Sequence, residues 1–163
     1  MAKPDFSKGP LSGYRVVDVS SVVAGPLAAM TLADQGADVI KIEPPGVGDL
    51  SRQAINERNG MAALYLNCNR GKRSIVLDMK QPEGIEVARD LIRSADVFIS
   101  NWRPGAAERL GLGEADLRSE CPDLIHCQIT GFGPTGPYSD HRVYDPVLQA
   151  LSGYVALQEN PEF

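Results

Sequence analysis

The sequence predicts an α/β protein, a doubly wound and mostly parallel sheet with flanking helices. Three observations carry that prediction. Short β-branched runs recur along the chain, segments with helical apolar spacing separate them, and proline or glycine closes one element before the next begins. Strands that alternate with helices need right-handed crossovers, and such crossovers build a parallel sheet.

The elements follow in order. YRVVDV at 14–19 is the first strand. AGPLAAMTLADQ at 24–35 sets Leu27, Met30 and Leu32 along a helix that Gly36 stops. ADVIKIEPP is the second strand, ended by two prolines that fix φ and remove ladder donors, so a first βαβ unit spans Tyr14 to Glu43. Residues 44–71 are polar, rich in Gly and Asn and interrupted by the apolar run MAALYL; they read as a long functional excursion rather than a second domain. RSIVLDM is then a strand, PEGIEVARDLIRS a helix with Pro82 in its first turn, DVFISN a strand, AAERLG and EADLRSE short helices, and DLIHCQIT the last clear strand. PVLQALSGYVALQ at 146–158 reads as the start of a further apolar helix that needs something to pack against, so the sequence is expected to be truncated.

A chain of 163 residues suits one compact domain, which buries roughly 70% of its unfolded surface. Apolar residues at 43% and charged residues at 23% match soluble globular averages and point away from disorder and from a membrane protein. The formal net charge of −5 argues against a general nucleic-acid surface, which needs Lys and Arg in excess, but leaves room for a local basic pocket. Cys68, Cys121 and Cys127 show no metal-ligand spacing and suit buried thiols, so no metal centre is expected. Neither a leader-like apolar stretch nor a run of ~18 apolar residues occurs, and a cytoplasmic protein is predicted.

GFGPTGPY at 131–138 contains the G-x-G-x-x-G spacing of a dinucleotide fingerprint. The fingerprint works when its glycines let the first strand turn into a helix whose amides face a pyrophosphate. Here Pro134 removes an amide, Pro137 follows, the next residues are not apolar-periodic, and the first strand runs instead into SSVVAGP. NAD binding is therefore not expected, although a glycine loop behind a parallel strand is still a place for a ligand. A Ser/His/Asp hydrolase is not indicated, since no G-x-S-x-G is present. His126, inside an apolar strand, is expected to be a core histidine with its hydrogen bonds satisfied.

Taken together, LSGYRVVDVSSVVAGPLAAMTLADQGADVIKIEPPGVGDLSR, NCNRGKRSIVLDMKQPEG, ADVFISNWRPGAAERLGL and GFGPTGPYSDHRVYDPVLQALSG resemble the family III CoA-transferases, the CaiB/BaiF family, over about Leu11 to Gly153. Members are more than twice as long. The resemblance implies that residues 1–163 are the N-terminal part of a large Rossmann-like domain, with a small domain and C-terminal segment elsewhere, in a homodimer of interlocked subunits. It implies acyl-CoA and a carboxylic acid acceptor as substrates, with coenzyme A not tightly held. CoA then moves between acids by attack of an aspartate on the thioester, through an anhydride and an enzyme-bound thioester. That aspartate lies beyond Phe163 by the resemblance, so no residue here inherits its role, Asp49, Asp78 and Asp145 included.

Val22, Val23 and Ala24 match a stretch near the CoA and acyl groups, with Val23 in the substrate chamber. Leu77, Asn101, Trp102, Arg109, Leu110 and Arg142 match the nucleotide end of the CoA site. Tyr144 and Asp145 match a pair bordering the reaction chamber, and Asp145 has helix N-capping before Pro146 as its structural alternative. Further candidate cations are Arg70, Lys72, Arg73 and Arg103. Formyl-CoA transferases carry glutamine where Val23 stands and arginine where Pro44 stands, which disfavours oxalate. The related α-methylacyl-CoA racemases place histidine where Tyr144 stands; tyrosine, with a reference pKa near ~10, is a poor acid/base substitute at neutral pH. The alternatives left open are a racemase, a non-catalytic CoA-binding module and, last, an NAD oxidoreductase.

Overall fold

The computed structural model describes residues 9–54 and 57–158, so the leaderless reading of the first residues falls partly on 1–8, outside the described residues. The chain divides into two compact units, Met1–Ile129 and Thr130–Phe163.

In the first unit β1 (Arg15–Asp18), α1 (Ala24–Asp34) and β2 (Asp38–Glu43) form the opening βαβ. After a 3-10 turn at Leu50–Gln53 come β3 (Glu57–Arg58), β4 (Met61–Ala62) and α2 (Ala63–Asn69). Then follow β5 (Arg73–Val76), α3 (Pro82–Arg93), β6 (Val97–Ser100), α4 (Ala106–Arg109), α5 (Glu114–Glu120) and β7 (Ile125–Gln128). Five strands make one sheet in the order β5-β2-β1-β6-β7, with every pairing parallel. Val16 sits between Val39 and Val97, and Val17 between Ile40 and Phe98. The chain passes from β1 to β2 on one side and later to β6 on the other, which makes the gap beyond β1 and β6 the topological switch point.

A parallel sheet covered on both faces needs apolar side chains on both, and successive residues of a strand supply them alternately. Val17, Val19, Ile42 and Phe98 pack with Ala88 and Ile92 of α3 and with Leu112 and Leu117 on one face. Val16, Val39 and Ile99 pack with Ala29 of α1 and with Ala37 on the other. α3 earns its place by spacing: Pro82 opens it, Ala88 and Ile92 are buried, and the charged residues face water. α1 lies so close to the strand before it that a Cβ on Gly25 would stand 2.3 Å from that of Ser20.

The excursion at 44–71 carries secondary structure of its own. It holds the 3-10 turn, the β3–β4 hairpin and α2, because Tyr65 of the apolar run and Cys68 just beyond it bury themselves in helical phase. Of the three cysteines Cys68 is buried, while Cys121 and Cys127 are only half-buried, and all three are free thiols.

The second unit contains α6 (Asp145–Leu151) and a 3-10 turn at Tyr154–Leu157. The single helix expected over 146–158 is broken at Gly153, whose φ of 76° is left-handed. Asp145 is not the N-cap either: Tyr144 holds that position with extended backbone, and Asp145 is the first helical residue, its carboxylate accepting from Gln149 Nε2.

Phe98→Ala empties the centre of the larger core. It is expected to lower unfolding stability by ~3–5 kcal/mol, read from urea denaturation midpoints.

Candidate functional site

The carboxyl ends of β1 and β6 converge on one short turn. Asn101, just past β6, accepts from Ser21 N at 3.0 Å and donates to Ser21 O at 2.7 Å, so one amide side chain latches the turn after β1 from across the switch point. Val22 follows with φ of 74°, a left-handed conformation that a β-branched residue adopts only under constraint. α1 then begins at Ala24, leaving Val23 and Ala24 exposed.

Beneath this turn lies a cluster of buried charges. Lys41 Nζ is 2.8 Å from Asp49 Oδ2 and 3.8 Å from Asp18 Oδ2, and donates to Ser20 O at 2.8 Å. Lys72 Nζ donates to Asp18 Oδ2, Pro26 O and Asn69 Oδ1, each at 2.8 Å. Two carboxylates thus face two ammonium groups, with the remaining oxygens taken by Ser20, Ser21, Ser51 and the Val22 amide. Burial pushes the Asp49 carboxyl up, but Lys41 and Ser51 outweigh it and hold it below its usual value. Burial pulls Lys72 down, and Asp18 only partly offsets it.

An adjoining group centres on Glu43. Its Oε2 accepts from Arg52 Nε at 2.7 Å and from Asp49 N at 2.9 Å, and its Oε1 from Ser74 Oγ at 2.7 Å and Tyr65 OH at 3.0 Å. Burial opposes ionisation of Glu43, yet Arg52, Ser74, the Asp49 amide and Tyr65 together hold its pKa at about 2. Burial, with the Glu43 charge beside it, pushes the Tyr65 phenol up to about 12.

On the same side of the switch point is a cleft of about 390 Å³, within the ~300–1,000 Å³ of small-molecule sites. Val19, Ile42, Met79, Trp102, Ala106 and Leu110 make its apolar walls, and Lys80, Arg103 and Arg109 stand at its rim. Among the described residues these three cations form no ion pair, whereas Arg70 pairs with Asp34, Arg73 with Asp38 and Lys72 with Asp18. Arg70, Lys72 and Arg73, candidate cations in the sequence, are thus committed to carboxylates of the chain itself. α4 carries Ala106 and Arg109 inward because Gly105, with φ of 79°, turns the chain directly from the NWRPG stretch into the helix.

Of the residues singled out in the sequence, the structure brings Trp102, Arg109 and Leu110 to the cleft. Leu77 instead packs against the larger core, Asn101 is engaged with Ser21, and Val22, Val23 and Ala24 form the neighbouring turn. Met79, Lys80, Ala106 and Val19 were not singled out. Their common signal is position, one to four residues past the end of a parallel strand or at the start of the next helix, where an open α/β sheet binds its ligand.

In the second unit Arg142 and Tyr144 are exposed, and Asp145 opens α6. The glycine loop brings Phe132, Tyr138 and His141 together, with ring centroids 5.0 to 6.3 Å apart. No helix opens within residues 131–144, so the dinucleotide spacing lacks the helix it requires. His126 departs from its reading as a satisfied core residue: its ring packs 5.4 Å from Phe98, but its buried Nε2 has no hydrogen-bond partner among the described residues.

Comparison with known proteins gives one consistent result. The sequence profile of CoA-transferase family III matches residues 11–162. A succinate–glutarate CoA-transferase of Agrobacterium fabrum is 46% identical over 162 residues, covering 95% of this chain and 40% of that protein. The human succinyl-CoA:glutarate CoA-transferase is 43% identical, covering 88% of this chain and 33% of that one. A crystal structure of a CaiB/BaiF family protein from Brucella suis superposes with a TM-score of 0.89 at 42% identity, over 96% of this chain and 42% of its own. The chain thus spans about two-fifths or less of the length of these relatives.

Acid should expose the Glu43 arrangement. A carboxyl held at about 2 against an ordinary 4.5 contributes stability that is complete above pH 4.5 and lost as pH falls through about 2. Thermal midpoints measured between those values are expected to drop steeply for the native sequence and more shallowly for Glu43→Gln.

Proposed function

The chain belongs to CoA-transferase family III, and on that premise we propose that it supplies much of the CoA-binding region of an acyl-CoA:carboxylate CoA-transferase. The observation that carries this reading is the cleft at the switch point, mostly apolar within, with Glu43, already bound to Arg52, as its one lining carboxylate, and rimmed by the free cations Lys80, Arg103 and Arg109. Coenzyme A presents a flat adenine, a 3′-phosphate and a pyrophosphate. Apolar walls with an aromatic face suit the ring, and charge-assisted hydrogen bonds from the rim suit the phosphates. A net charge of −5 over the whole chain makes this local basic rim the more telling.

In this reading residues 1–163 are the N-terminal part of the large domain, and the nucleophilic carboxylate comes from outside them. The Ser21–Ala24 turn carries the reactive end of the acyl-CoA, with Val23 in the substrate chamber. The acceptor is a dicarboxylic acid larger than oxalate. One thing supports that choice: the apolar side chain of Val23 offers an oxalate no hydrogen bond. A homodimer in the cytoplasm completes the proposal; the unpaired cysteines suit a reducing compartment.

The deciding experiment supplies the full-length polypeptide with succinyl-CoA and glutarate and follows glutaryl-CoA by chromatography. Turnover that requires the free acid, and exceeds that with oxalate at least roughly tenfold, is expected; one methylene-scale difference in a pocket already gives ~10–200-fold discrimination. Exchange of an α-proton into one thioester without any acceptor acid would instead establish the racemase.

Titration calorimetry tests the cleft itself. Lys80→Ala and Arg109→Ala are each expected to weaken CoA binding ~10- to 100-fold, the loss of one hydrogen bond to a charged group. Arg73→Ala, whose guanidinium is committed to Asp38, should leave affinity within about twofold.

A further inference from the structure

We propose that Asp49 is a positioning residue, holding the Val22 backbone left-handed from inside the protein and so fixing where the Ser21–Val23 turn stands at the acyl end of the site. The purpose of the turn rests on the CoA-transferase reading; the clamp rests on geometry alone.

Val22 is one of two non-glycine residues with positive φ among the described residues, and the other, Asn59, is of a type that tolerates it. A valine placed there must be held. The angle in question is rotation about the N–Cα bond of Val22, so it is set by whatever fixes the peptide before that bond and the chain after it. The chain after it is fixed by α1, whose first turn is closed by Leu27 N donating to Val23 O at 2.8 Å. The peptide before it is fixed by Asn101, which bonds both polar groups of Ser21, and by Asp49 Oδ1, which accepts from Val22 N at 3.0 Å and from Ser21 Oγ at 3.1 Å. Val22 is the joint that reconciles the two.

Asp49 is well made for that task. It is 1% exposed, so no water competes for its oxygens. Ser51 N and Ser51 Oγ donate to the same Oδ1 at 2.8 and 2.7 Å, Lys41 faces Oδ2, and the Asp49 amide is itself anchored on Glu43. The side chain therefore cannot follow the turn outward; the turn must stay with it. Val22 and Val23 are then presented at the switch point by a residue that never reaches the surface.

The test compares Asp49→Ala, which removes the acceptor, with Asp49→Asn, which keeps an acceptor oxygen but loses the charge opposite Lys41. Each is made with and without Val22→Gly, since glycine takes positive φ without strain. In the full-length enzyme Asp49→Ala is expected to lower kcat/KM roughly 100-fold, the scale of a misplaced positioning contact. Asp49→Asn should retain most of the activity, and Val22→Gly should return about tenfold to Asp49→Ala. Equal losses in Asn and Ala, unrelieved by glycine, overturn the clamp in favour of simple charge balance. Should Asp49→Ala not fold, Lys41→Met/Asp49→Ala removes the clamp without stranding a buried ammonium. Amide exchange over residues 19–27 reads the clamp without any activity: faster exchange in the Ala variants supports it even if no CoA transfer is found, and unchanged exchange sinks it.

Discussion

The arrangement depends on the pairing of Lys41 with Asp18 and Asp49. All three side chains are essentially inaccessible, beside strands whose buried residues are mostly apolar. A lone ammonium there is prohibitively costly, and replacing a buried ion pair by apolar residues often leaves stability unchanged or higher. Stability is therefore a poor explanation for it. What the pair does achieve is connection. It ties β1 to β2, and through Asp49 it ties both to the turn in which Val22 is held. Lys72 extends the tie to the carbonyl of Pro26 in α1 and to Asn69 at the end of α2.

This organisation separates two tasks along one edge of the sheet. The charged residues at the carboxyl ends of β1 and β2 and around the 3-10 turn, Asp18, Lys41, Glu43, Asp49 and Arg52, are spent on protein partners. The charged residues behind β5 and β6 are left outward, at the rim of an apolar cleft. Both sets are lysines, arginines and carboxylates, and the difference between them is the number of protein oxygens within reach. A cation with three acceptors, as Lys72 has, offers nothing further to a ligand.

The sheet was legible because its code is short-ranged. VVDV, DVIKIE and VFIS carry their strand character in consecutive residues, and α3 carries its own in the spacing of Ala88 and Ile92. The excursion was less so, since α2 is seven residues long and is recognisable only when Tyr65 and Cys68 are seen to share a buried face. Pairing was least legible. Nothing adjacent to Lys72 or Arg73 reveals that Asp18 or Asp38 will meet them, because strand order decides it. A hint was nonetheless present: Asp18, Lys41 and Glu43 interrupt strands that are otherwise apolar, and a charge in such a place requires a partner. Trp102, Arg109 and Leu110 came through the family resemblance, while Lys80 and Met79 needed the cleft to be seen.

The strand order also sets a timetable. Arg15 of β1 meets Asp96, 81 positions further along the chain, and β1 stays an open edge until β6 exists. At ~5–20 residues per second on the ribosome, that is a wait of roughly 4–16 s. Asp18, Lys41, Asp49, Glu43 and Lys72 all emerge within the interval, whereas Asn101, Trp102 and Arg109 emerge at its end. The nascent protein can thus neutralise its buried charges first, and the latch on Ser21 and the far wall of the cleft arrive together after them.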